Sequence, residues 1–163
     1  MIQHSNWLVA RGGGRGASHQ TPATIDSKTM EYLIGVILAL AISFVFGTVV
    51  GFDRSRAFYP VVMIVIATYY ALFALIGGSL HALTLECGFI AGFVLVSVLG
   101  FKLNLWWVAG ALFAHGVFDF FHSHLISNPG VPVWWPGWCL TYDVTAAGYL
   151  AWLLGRSKGS ERP

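Results

Sequence analysis

Several ionisable side chains stand inside runs of sequence that are otherwise apolar. Glu86 is in one such run, His115, Asp119 and His122 are in a second, and Asp143 is in a third. In Ala114-His115-Gly116-Val117-Phe118-Asp119-Phe120-Phe121-His122 the polar residues fall at i, i+4 and i+7. On a helix they share one face, within an arc of roughly 60°. Two imidazoles and a carboxylate on one face, with Glu86 and Asp143 able to approach from neighbouring segments, form a donor set that zinc or another divalent ion accepts. No Lys or Arg is embedded with these carboxylates. A structural ion pair is therefore available only if a histidine is protonated, whereas a divalent ion would supply the missing positive charge directly.

His115, Asp119 and His122 are thus the candidate metal ligands, and Glu86 and Asp143 the candidate catalytic carboxylates. In an enzyme built this way the metal, zinc by preference, would activate water for hydrolysis of a lipid-like ester or amide, with the non-liganding carboxylate as general base. The same layer without metal could carry protons or a solute, or form a hydrogen-bonded structural network. An accessory subunit that docks a partner helix on the layer is a third reading. His124 points away from His115, near the surface, and is set aside. Cys139, Tyr142 and Asp143 stand at i, i+3 and i+4 and make a second polar stripe.

Such groups can be positioned only by membrane-spanning helices. The 163 residues are 56% hydrophobic and 10% charged, with a mean hydropathy of +0.70, and so few charges cannot cover a soluble globule. Two cysteines make no disulfide framework, and a net charge of +2 with scattered basic residues gives no nucleic-acid footprint. The expected architecture is an all-α integral membrane bundle of five helices, with spans at about 32–52, 57–76, 81–101, 103–126 and 138–155. Arg54, Arg56, Lys102, Arg156, Lys158 and Arg162 then share one face, and the second and fourth loops have no Lys or Arg. The positive-inside rule puts the C-terminal tail (156–163) in the cytoplasm and the N-terminus outside, as expected of a multi-pass inner-membrane protein. Counted from the outer edge, Glu86 and Asp143 lie about 7 Å deep and Asp119 about 10 Å, so distant segments bring their costly groups to one layer.

Residues 1–29 have no apolar core of the kind a signal peptide carries. They read either as a disordered tail or as a start-site artefact, with Met30 as the true start. His81 is a rim ligand or merely a hydrated interfacial residue. Tyr69 and Tyr70 read as aromatic-belt residues, one of which could turn its hydroxyl into the site. Asp53 with Arg54 and Arg56 reads as a cytoplasmic anchor. Cys87 and Cys139 both fall toward the outer face, where a bridge would need them within bonding distance. The segment Asn128 to Trp138 carries three prolines and three tryptophans and reads as a stiff lid over the site as well as an interfacial belt.

At His115 to His122, through Asn128-Pro129-Gly130-Val131-Pro132-Val133-Trp134-Trp135-Pro136 and on to Cys139-Leu140-Thr141-Tyr142-Asp143, the chain resembles a family of small bacterial polytopic membrane proteins grouped as a domain of unknown function. The resemblance spans about residues 30–155 and implies a shared architecture without an activity. A looser similarity is to the alkaline ceramidase and progestin/adipoQ receptor membrane hydrolases, which hold zinc with intramembrane His. Five spans instead of seven, and no His-x-x-x-His in the last span, make that an analogy of chemistry.

Overall fold

In an apolar medium a run of about twenty uncharged residues can satisfy its backbone N–H and C=O groups within one segment only as a helix. A computed structural model describes residues 26–51 and 55–160, and among them no strand occurs. The helices are α1 (Ser27–Ile42, continued by a π-helical stretch Ser43–Val49), α2 (Phe58–Ile76), α3 (Leu80–Lys102), α4 (Trp106–Leu125) and α5 (Trp135–Ser160). Ser27–Gly47, α2 and α3 are long and apolar enough to cross a membrane, the mark of a membrane protein. α4 and α5, at 20 and 26 residues, have the length as well. They are less apolar because they carry most of the ionisable layer, and they turn it inward. Large side chains such as Leu80 (76% exposed), Ile37 (62%) and Trp107 (61%) face outward instead, as they must on a lipid-facing surface.

Three helix starts differ from the sequence expectation, and α5 runs on to Ser160 rather than ending at 155, so residues 156–160 of the expected tail are helical. α1 starts at Ser27 rather than Tyr32, with Asp26 before it, so residues 27–29 of the expected tail are helical. α4 starts at Trp106 rather than Leu103, because the Asn104 side chain accepts a hydrogen bond from the Trp106 N–H at 3.0 Å and makes the turn. α5 starts at Trp135 rather than Trp138, so the expected loop is shorter and two of its tryptophans are helical. Pro136 is harmless there, since first-turn N–H groups have no partner within the helix. Most of the N-terminal segment, the Asp53–Arg54 turn and residues 161–163 lie outside the described residues.

α4 packs chiefly on α5, α2 on α3, and α1 on α5. The turn between α2 and α3 uses Gly78 at φ 66°, a conformation open to glycine. Ser79 then caps α3 by accepting from the Ala82 N–H at 3.2 Å. Two glycines set the approach of the helices that matter for the site. A Cβ on Gly35 of α1 would meet the Trp138 carbonyl oxygen at 2.5 Å and collide with the Thr141 hydroxyl, and one on Gly116 of α4 would lie 3.1 Å from the Leu140 carbonyl oxygen. Small residues here let α5 lie against both neighbours. Met63 and Tyr70 of α2, Val108 and Leu112 of α4 and Cys139 of α5 fill the space between the helices.

Candidate metal centre

Glu86, His115, Asp119, His122 and Asp143 are all buried, none more than 2% exposed. α4 contributes His115 and Asp119 one turn apart, and the close approach at Gly116 brings α5 near enough to add Asp143 and, one turn before it, Cys139. One ligand atom from each of His115, Asp119, Cys139 and Asp143 can be chosen so that all lie within 4.8 Å of one another. This buried group could hold a metal ion.

The pairing inside the group leaves carboxylate capacity unused. His115 Nδ1 lies 2.7 Å from Asp143 Oδ2 and 3.2 Å from Asp119 Oδ2. Two flanking acceptors make this nitrogen the protonated one, and its single N–H donates to Asp143, the nearer oxygen. Asp119 Oδ2 and Asp143 Oδ1 are then buried without a hydrogen-bond donor among the described residues. The Tyr70 hydroxyl donates to the other oxygen of Asp119 at 2.5 Å. If both were ionised, the two carboxylates facing one imidazole would keep a net negative charge even with both ring nitrogens protonated. Among the described residues no Lys or Arg forms an ion pair with any of the buried carboxylates. A charge left in that state in a dry interior is expensive.

Glu86 and His122 form a second cluster. His122 Nε2 and Glu86 Oε1 are 2.7 Å apart, and the Asn128 side-chain amide donates to the same oxygen at 3.0 Å and to the Tyr70 carbonyl at 3.1 Å. Tyr70 joins the two clusters, with its hydroxyl on Asp119 and its ring stacked on His122 at 4.1 Å between centroids. Phe93 closes the α3 side of the first cluster, its ring 4.8 Å from that of His115.

The i, i+4, i+7 face is therefore divided: His115 and Asp119 turn toward α5, while His122, about 4.5 Å further along the axis, pairs with α3. Asp143 stands beside His115 among the possible ligand atoms. Tyr70, and not Tyr69, reaches the site; Tyr69 is exposed, its ring tilted against that of Trp135 at 5.1 Å between centroids. His81 is exposed, and Cys87 is an exposed free thiol while Cys139 is a buried one, so no bridge joins them. Cys139 and Asn128 were not singled out as site residues from sequence. The four-residue spacing of Cys139 and Asp143 was the available signal for the first. Asn128, read there only as the first residue of the lid segment, had none.

Tyr70→Phe keeps the ring on His122 and removes the one hydroxyl donor to Asp119. It is expected to lower stability by about 1–3 kcal/mol, read from thermal unfolding in detergent. An unchanged midpoint would show that Asp119 does not depend on that bond. No family model, curated protein or solved structure matches the chain.

Proposed function

We propose that this protein is a five-span membrane protein that binds one divalent metal ion, zinc by its donor set, among His115, Asp119, Asp143 and Cys139. The observation that carries the reading is that Asp119 and Asp143, each with a buried carboxylate oxygen that has no donor among the described residues, converge with a histidine and a thiol. A thiol and an imidazole beside carboxylates favour zinc over magnesium or calcium, whose ligands are oxygens. The ion would take the place of the proton on His115 Nδ1, so its uptake releases protons. α4 and α5 count as spans because their carboxylates, Asp119 and Asp143, face inward. The Arg56 guanidinium donates to the Leu103 carbonyl at 3.4 Å, which supports one shared end for the first and third loops and, with Lys102 and Arg156, the cytoplasmic assignment of that end. The metal then lies in the half of the bilayer nearer the outer face.

In the finer form of this proposal the protein is a hydrolase of a lipid-like substrate, as in the analogy to the alkaline ceramidase type of membrane enzyme. Four protein donors would close the coordination shell, so catalysis requires one of them to yield its place to water. Glu86, outside the donor group, is then the carboxylate left to act as general base. The test is metal content by plasma mass spectrometry on detergent-purified protein. Near-stoichiometric zinc is expected in the wild type, falling at least tenfold in Asp119→Asn/Asp143→Asn, whose amides keep the shape and lose the charge. A wild type purified without metal that takes up none on reconstitution would overturn the proposal.

A further inference from the structure

Among the described residues, the end of the bundle nearest the site is open between α1, α4 and α5. A cavity of about 530 Å³ lies there, within the roughly 300–1,000 Å³ usual for small-molecule sites. His122 forms part of its wall, so the cavity touches the buried polar layer. The rest of the lining is divided by chemistry. Lys28 and Glu31 come from the first turns of α1, Ser123 and Ser127 from the end of α4 and beyond, and Phe120 and Leu140 from the seam between α4 and α5. None of the four polar side chains has a hydrogen bond or ion pair to another described residue. Lys28 and Glu31 therefore present one positive and one negative charge, three residues apart on one helix face, unpaired with each other.

We propose that this cavity is the headgroup site of a zwitterionic aminophospholipid drawn from the surrounding bilayer. The Lys28 ammonium meets the phosphate, the Glu31 carboxylate meets the primary ammonium, and the hydroxyls of Ser123 and Ser127 serve the phosphate and glycerol oxygens. The acyl chains leave along Phe120, 59% exposed, and Leu140 into the membrane. The ester region then lies against His122, which is hydrogen-bonded to Glu86. As a lipid site the cavity is independent of any metal; as a substrate site it rests on the hydrolase form of the proposed function.

The test is lipid retention by native mass spectrometry on the full chain, offered mixed micelles of detergent with phosphatidylethanolamine or with phosphatidylglycerol, with metal content read on the same samples. Phosphatidylethanolamine is expected to be retained at least tenfold over phosphatidylglycerol, which has the phosphate without the amine. Glu31→Gln is expected to erase that preference, and Lys28→Ala to weaken retention of both lipids, with metal content unchanged in each variant. Equal retention of the two lipids by the wild type, or a preference that survives Glu31→Gln, would overturn the headgroup assignment while leaving the metal site intact. The lipid preference without any metal would sustain the lipid site and overturn the metal reading.

Discussion

Replacing His115 with alanine is expected to abolish the proposed metal binding and to destabilise the protein by about 3–5 kcal/mol. Among the described residues the imidazole is the only group that gives Asp143 a hydrogen bond, and it lies 3.2 Å from the Asp119 oxygen that has no other donor there. Without it two carboxylates face each other in a dry interior. Plasma mass spectrometry reads the metal, and denaturation in detergent reads the stability. The cause of the loss can be separated from simple cavity formation by adding Asp119→Asn and Asp143→Asn to the same variant. Neutral amides remove the charge repulsion and can bond to each other, so the triple variant should recover much of the stability while staying free of metal. A His115→Ala protein that keeps its zinc would show that the ion is held elsewhere.

His122→Ala is expected to behave differently, although its residue lies on the same face of α4. It should cost about 2–4 kcal/mol, because Glu86 loses its closest partner and keeps only the Asn128 amide at 3.0 Å. The stack of Tyr70 on the imidazole ring goes with it. Metal content should stay at the wild-type level, since the ion-binding group proposed from the structure is His115, Asp119, Asp143 and Cys139. Zinc lost from His122→Ala as completely as from His115→Ala would merge the two clusters into one site. Retained zinc with lost lipid hydrolysis would instead place the Glu86–His122 pair in the chemistry and outside the coordination shell.

That contrast shows where reading along the chain runs out. The helical period places His115, Asp119 and His122 on one side of α4, and all are buried. Period says nothing about which neighbour each residue meets, because a helix side spanning roughly 60° of arc and about two turns can face two helices at once. α5 reaches His115 because Gly116 leaves room for the Leu140 backbone, and α3 reaches His122. Tyr70 and Tyr69 are adjacent and chemically identical, yet only Tyr70 points inward. The register of α2 makes that choice, since its residues Met63, Ile66, Ala67, Tyr70 and Phe73 form the buried side. Asn128 has no helical period at all, and its place beside Glu86 is set by how the chain folds back after α4.

From sequence alone follow the membrane setting, the all-helical class, the approximate helix positions and the identity of the costly buried groups. These depend on composition, run length and period, which act locally along the chain. The tertiary structure decided the partnerships: His115 with Asp143 and Asp119, His122 with Glu86, Tyr70 across both, and Cys139 within reach of an ion. Those partnerships depend on rotation and axial register between helices. The close contact at Gly116 sets the approach of α5 to α4, and the partnerships bring together side chains separated by tens of residues in the chain.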